Sequence, residues 1–481
     1  MNYYIGIDLG TSSIKGILVA QDGNIVKTAS REYAVSYPKP LWSEQNPQDW
    51  LFGMDAVLNE LTAGVKNDVK GISFAGQMHG LVMLDENDEV IRPCILWNDG
   101  RSFKEVDYLN SVQGTKKLTE LTGNIAYAGF TAPKILWVYQ NEPQNFAKIS
   151  KIMLPKDYLV YKLTGAFSCD YSDASGMLLL DVKNKRWAEE MLEICHVQKE
   201  WLPTLYESYE VVGKPKSIYA LPNAVVTAGA GDNAAAAIGT GTVCDGNTNI
   251  SLGTSGTVFI SADKFSVDKD NGLHSFAHAN GAFHQMGCIL SAASCNKWWI
   301  ETILGLKDYA FFETSVRLGE NRIYFLPYLT GERSPINDVN ASGTFIGLRA
   351  DTTKEEMTLA VMEGITFALR ECVEIARRSV TIDKVTVCGG GAKSEIWRKI
   401  IANVLNVDVY MPVTEQGPSY GAAILAMVGA NEYPTTQYAS ERFIKKVLCS
   451  SPDVSLVEKY EEKYQAWKNI YPALKEVYKR L

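Results

Sequence analysis

Two short stretches, far apart in the chain, repeat one another. YIGIDLGTSSIKGILVA runs from Tyr4 to Ala20, and NISLGTSGTVFIS from Asn249 to Ser261. Leu-Gly-Thr-Ser stands at 9–12 and again at 252–255, each time between apolar, β-branched runs. Such runs on either side of a glycine turn predict a hairpin. After each hairpin, strand-like runs alternate with helical ones, which predicts α/β architecture. A chain of 481 residues is too long for one ordinary core. We therefore expect two related α/β domains, residues 1–245 and 246–481, facing each other across a cleft.

The turns suggest what the cleft holds. Gly10 and Gly253 let backbone N–H groups approach an anion closely. Thr11, Ser12, Thr254 and Ser255 add hydroxyl donors. Two such turns on opposite walls would clamp a polyphosphate, although either alone reads equally well as a plain hairpin loop. The residue before each turn differs: Asp8 in the first copy, Ser251 in the second. An aspartate beside bound phosphates can hold Mg²⁺, which keeps most of its water and needs only one or two carboxylates. A second carboxylate opposite would repel an already anionic ligand. Asp8 is thus the candidate metal ligand, with Lys15 near enough to balance charge or simply to face solvent.

Four further stretches carry polar chemistry next to glycine. GAGDNAAAAIG (229–239) sets Asp232 at the head of an alanine-rich helix. Helix capping is one reading, and a general base for a hydroxyl is the other. GQMHG (76–80) follows an apolar strand, where Gln77 and His79 can bond hydroxyls and Met78 can line a pocket. LWNDGR (96–101) adds Trp97, Asp99 and Arg101, and an aromatic face suits the C–H face of a sugar. CGGGAKSEIW (388–397) ends a strand in three glycines before a helix, which allows a flat ligand or an anion to lie against backbone.

Other segments read more simply. Asn46–Pro47 opens a helix, and Thr353 with Glu356 forms a capping box on a long one. HGLVMLDENDEVIRPCILW is expected to be a hairpin turning at 86–88. Residues 104–205 are expected to be mostly helical, broken at Gly123, Pro133 and Gly165. GPSYGAAILAMVGA is a second helix of small residues.

Composition excludes several classes. With a net charge of −8 and no basic run, nucleic acid and membrane surfaces are not expected partners. No apolar stretch is long enough to span a membrane, and no signal peptide is seen. The nine cysteines form no C-x-x-C pair and read as reduced thiols of a cytoplasmic protein. His274 and His278 share an H-x-x-x-H spacing, but strand and loop surround them, so no zinc site is expected.

Taken in order, DLGTSS, GQMHG, ILWNDGR, GAGDNAAAA, SLGTSG, SAASCNKWW, YLTGERSP, CGGGAKSEIWR and GPSYGAA resemble the FGGY carbohydrate kinases over nearly the whole chain. The forms of GQMHG and GDNAA are similar to those of the xylulokinase branch. The segment RSPIND (333–338) departs from that branch, which often carries Thr and His there. The resemblance implies a duplicated actin-like, ribonuclease-H-like core with ATP and sugar in the cleft. It implies Asp232 as catalytic base and Asp8 as the metal-side carboxylate. Gln77, Met78, His79, Trp97 and Asn233 would lie beside the sugar. Thr11 and Thr254 would lie in the phosphate turns, and Gly390, Gly391 and Ala392 in the adenosine motif. The implied reaction is ATP- and Mg²⁺-dependent phosphorylation of D-xylulose. The alternatives are another sugar or polyol (ribulose, gluconate, glycerol) or an actin-like or chaperone-type ATPase. Homodimerisation is left open.

Overall fold

The computed structural model describes residues 1–413 and 417–481. Both expected hairpins form. β1 (Tyr3–Leu9) pairs antiparallel with β2 (Ser13–Ala20), which pairs with β3 (Ile25–Glu32). On its other side β1 pairs in parallel with β4 (Val69–Gly76). The sheet continues through β5 (Val211–Gly213) and β6 (Val225–Thr227), in the order β5-β6-β4-β1-β2-β3. The two-residue strand Ala230–Gly231 also pairs with β4. β1 and β4 are buried nearly throughout, as central strands covered on both faces must be.

The second sheet repeats this plan. β7 (Thr248–Leu252) pairs antiparallel with β8 (Gly256–Ala262), beyond which lie β9 (His274–Ala277) and β10 (Phe283–Ile289). β7 pairs in parallel with β11 (Lys384–Cys388), followed by β12 (Asp408–Pro412) and an antiparallel edge, β13 (Lys446–Ser450). Its order, β9-β10-β8-β7-β11-β12-β13, matches that of the first sheet from β10 to β12 and adds β9 at one end; at the other, the edge strand β13 follows its neighbour in the chain where β5 precedes its own. The repeat read from four residues is therefore a repeat of strand order and direction.

Helices pack on these sheets as their sequences direct. α1 (Pro47–Thr62) begins at Asn46, whose side chain accepts from the Gln48 N–H, and it buries Trp50, Met54, Val57 and Leu61. α2 (Thr131–Asn141) and the single turn α3 (Tyr171–Ala174) lie in the long insertion of the first half. α4 (Asp232–Gly239) follows the first sheet. The capping box of α5 (Lys354–Ala376) forms, with Thr353 and Glu356 bonding reciprocally. α6 (Glu395–Leu405) follows β11 and is capped by Ser394. α7 (Gly417–Gly429) belongs to the second half of the chain yet lies on β1, β4 and α4. The approach is backbone on backbone. A Cβ at Gly6 would sit 1.8 Å from the Ser419 carbonyl oxygen, and one at Gly421 1.8 Å from that of Ala235. Any larger residue at either place would force the helix off.

Two expectations fail for nameable reasons. Residues 80–97 turn at 85–89 but do not form a hairpin. Val82–Leu84 pairs with Lys151–Met153, and Cys94–Ile95 pairs with Glu44–Gln45, leaving only isolated bridges between the two arms. Pro133 does not break a helix; it sits in the first turn of α2, where its missing N–H would have had no partner inside the helix. Gly123 and Gly165 do end helices, each in the left-handed conformation. Among the described residues no helix is long and apolar enough to cross a membrane.

Candidate active site

The motifs converge between the two sheets. A cavity of about 190 Å³ is lined from the first half by Met78, His79, Trp97, Phe130, Asp232 and Asn233. The second half contributes Ser255, Thr257, His274, Phe276, Cys288 and Arg333. A second cavity, of about 280 Å³, is lined by Asn233, Ala236, Asn249, Ser251, Thr257 and Gly389 among others. Asn233 and Thr257 line both, so the cavities adjoin beside Asp232. A larger concavity of about 920 Å³ lies around Lys185 and Trp187, away from every motif above.

Asp232 is the first residue of α4, and its carboxylate accepts the Asn233 N–H at 2.7 Å. Burial raises its pKa to about 6, against that one hydrogen bond. Asp8 faces it from β1. Burial, and then the charge of Asp232, push Asp8 up to about 7, with Lys15 opposing. Two carboxylates close enough to repel form an oxygen-only donor set for which a hydrated divalent cation is the natural relief. Asp8 thus fits a hydrated Mg²⁺. Among the described residues no group of three or more His, Cys, Asp or Glu is placed to hold a metal.

The first turn is braced from three sides. Gly10 N–H bonds the Ser13 carbonyl, and the Gly10 carbonyl accepts from the Tyr33 hydroxyl at 2.5 Å. Trp97 Nε1 donates to Thr11 Oγ1 at 3.0 Å. Gln45 Nε2 donates to the Thr11 carbonyl at 2.6 Å, and Gln45 Oε1 accepts from both Gln77 Nε2 and Trp50 Nε1. Gln77 is therefore buried behind the cavity and does not line it. Ser12 projects into solvent. Gln45 was not singled out in the sequence, because a glutamine in the polar stretch SEQNPQ carries no local signal.

His79 is held in the left-handed region, φ 68°. Its carbonyl accepts from Lys134 Nζ at 2.8 Å and Thr131 Oγ1 at 3.1 Å. Its Nδ1 lies 2.9 Å from the Gly176 carbonyl, which can only accept, so Nδ1 carries the proton. Burial, and then Lys134, lower the His79 pKa. The ring is neutral, and Nε2 is left as an acceptor. Met78 Sδ lies 3.8 Å from Asn233 Nδ2, its donor. Asp99 and Arg101 pair with each other at 2.7 Å, and Arg101 stacks on Trp42 with its Cζ 3.7 Å from the ring centroid. They brace the loop that carries Trp97.

The second turn is shorter. Gly253 N–H bonds the Ser255 carbonyl, and the Gly253 and Thr254 carbonyls accept from the N–H groups of Ala293 and Ala292. Ser294 Oγ donates to the Thr254 carbonyl at 2.5 Å. The Thr254 side chain is exposed, and Ser255 lines the smaller cavity. In the triple glycine, Gly389 has φ 86° and lies against Leu252, and Gly391 packs on Leu252 and the Trp397 ring. A Cβ at Gly390 would meet nothing within 4 Å, so open space adjoins it. Ala392 is buried, and its carbonyl takes the Arg398 guanidinium.

Known proteins match this arrangement. Residues 3–239 match the N-terminal domain, and residues 248–430 the C-terminal domain, of the FGGY family of carbohydrate kinases. The chain is 38% identical to the xylulose kinase of Lactococcus lactis, over 99% of this chain and 98% of that one. It is 40% identical to the xylulose kinase of Escherichia coli, over 89% and 90%. It superposes on the crystal structure of a gluconate kinase from Lactobacillus acidophilus with a TM-score of 0.95, at 25% identity over 100% of this chain and 99% of that one. The chain belongs to the FGGY family of carbohydrate kinases.

Proposed function

We propose that this kinase transfers the γ-phosphoryl group of ATP to the 5-hydroxyl of D-xylulose, giving xylulose 5-phosphate and ADP. The observation that carries this reading is the junction of the two cavities at Asn233 and Thr257, beside Asp232. A sugar in the smaller cavity and a nucleotide reaching in from the larger one would meet there. The names of the relatives support the sugar.

In this mechanism Asp232 takes the proton of the 5-hydroxyl as the oxygen–phosphorus bond forms and the bond to the β-phosphate oxygen breaks. A carboxylate with a pKa near 6 is ionised at neutral pH and is more basic than a solvated one. His79 Nε2 accepts from a sugar hydroxyl, while Met78 and Trp97 bound its carbon chain. The two Gly-Thr-Ser turns place the triphosphate in line, and Gly390 gives the adenosine its space. Mg²⁺ held at Asp8 would neutralise phosphate charge. The cleft divides residues 1–245, with the sugar side, from 246–481, with the nucleoside side, although α7 crosses to the first sheet. Nine scattered cysteines without a C-x-x-C pair suit the reducing cytoplasm.

The gluconate kinase superposition keeps an aldonate as the second reading. ADP release measured with D-xylulose, D-ribulose, gluconate, glycerol and no acceptor separates the readings. Highest kcat/KM on D-xylulose is expected. Highest kcat/KM on gluconate replaces the substrate, and ADP release equally fast without any acceptor replaces the kinase reading.

A further inference from the structure

A 2-ketopentose can close a five-membered ring only through its own 5-oxygen. If that oxygen is the nucleophile, the ring is open and C2 is a free carbonyl. The carbonyl is then the one oxygen of the substrate that accepts hydrogen bonds and donates none. The hydroxyls can satisfy acceptors; the carbonyl needs a donor.

Most polar groups lining the smaller cavity are acceptors, can act either way, or have their donors engaged. His79 Nε2 and the Asp232 carboxylate accept. Asn233 Nδ2 directs one of its two N–H groups at Met78 Sδ, Trp97 Nε1 is committed to Thr11, and the Tyr127 hydroxyl donates to Asn337 Oδ1 at 3.1 Å. Arg333 alone among the lining residues is a permanent cation with donors only. Its side chain lines the cavity, and among the described residues its guanidinium makes no hydrogen bond and no ion pair. Its Cζ lies 5.6 Å from the centroid of the Tyr127 ring.

The base of the Arg333 loop is fixed. Glu332 Oε1 accepts the N–H groups of Arg333 and Leu290, both at 2.8 Å, and the Ser334 N–H donates to the Cys288 carbonyl. Arg333 comes from the second half of the chain, whereas His79 and Asp232 come from the first. It is an anchored, donor-only cation aimed across the cleft.

We propose that Arg333 reads the C2 carbonyl of the acceptor and sets the preference for a ketose over the corresponding polyol. This rests on the substrate reading above. Removing the carbonyl leaves the guanidinium facing a hydroxyl that must turn its own hydrogen away. Removing the guanidinium leaves the carbonyl without a donor.

The test compares wild type, Arg333→Met and Arg333→Lys. It measures kcat/KM on D-xylulose and, for xylitol and D-arabinitol (the two pentitols formed by reducing its carbonyl), turnover or competitive inhibition. Arg333→Met is expected to lose about 10- to 100-fold on D-xylulose, the worth of a charged hydrogen bond, and under about 3-fold on the pentitols. Its KM for ATP and its melting temperature stay at wild-type values, and Arg333→Lys recovers most of the loss. Equal losses on ketose and pentitols, or a loss confined to ATP, overturn the assignment. A wild-type enzyme inactive on D-xylulose overturns the substrate reading, and the assignment with it.

Discussion

The two Leu-Gly-Thr-Ser turns share sequence, strand pairing and place in their sheets, yet they are built for different work. In the first, four residues lie between the paired positions Leu9 and Ile14; in the second, three lie between Leu252 and Gly256. The first is preceded by a buried carboxylate facing Asp232, and side chains from distant segments hold it: Gln45, Trp97 and Tyr33. The second is preceded by Ser251, which faces the larger cavity, and neighbouring backbone holds it through Ala292 and Ala293. The comparison teaches that the duplication preserved the backbone frame, while the charge was concentrated on one wall. A polyphosphate between two acidic walls would be repelled from both sides. One acidic wall with a cation and one neutral wall can hold it.

The largest test of this division is the base that faces the acidic wall. Asp232→Asn keeps the shape but cannot take a proton, so kcat should fall about 10²- to 10⁴-fold with both substrates still bound. Near-normal turnover would remove the base from the mechanism. The comparison itself breaks on the next pair. Asp8→Ala should lower kcat about 10²-fold and raise the Mg²⁺ concentration needed, whereas Ser251→Ala should change kcat by about 2-fold at most. Equal effects would mean that the two walls are chemically equivalent.

The braces differ in the same sense. Gln45→Leu strands three polar partners, Thr11, Gln77 and Trp50, and should cost about 2–5 kcal/mol in denaturant unfolding. Ser294→Ala removes one bond to a carbonyl that keeps another donor, and should cost about 1 kcal/mol or less. The smallest effect sharpens the electrostatics. Asp8 titrates near 7 in the folded protein, against an ordinary 3.8. The native state thus holds a proton that the unfolded chain has lost, and wild-type stability falls as pH rises from about 4 to about 7. Asn cannot titrate. Asp8→Asn should melt a few degrees above wild type at pH 8, with the gap closing toward pH 4, and Ser251→Ala should show no such trend. A pH-independent gap for Asp8→Asn would mean that burial does not penalise its charge.

What the sequence disclosed was local. The two Leu-Gly-Thr-Ser hairpins, the Thr353–Glu356 box and the Asn46 cap are decided within a few residues, and each appears where it was expected. The recurring turn also foretold the cleft. What stayed hidden was settled by distant partners. Residues 80–97 alternate like a hairpin, but their arms are claimed by strands at 151–153 and 44–45. Gln77 stood in a conspicuous motif, yet its amide turns back to Gln45. Arg333 lay in the stretch that departs from the xylulokinase pattern, and only the fold carries it to His79 and Asp232. A functional group whose neighbours come from another lobe leaves no spacing rule to read.

Translation runs from N- to C-terminus, so the first lobe leaves the ribosome long before the helix that covers it. The strip of bare backbone at Gly6 and Gly71 is matched to Ser419 and Ala426, more than 350 positions later in the chain. Until those residues emerge, the nascent sheet keeps an apolar face open to solvent and to stray partners. Contacts so distant in sequence slow folding and leave a window for aggregation that chaperones must guard. The lobe made first is completed last.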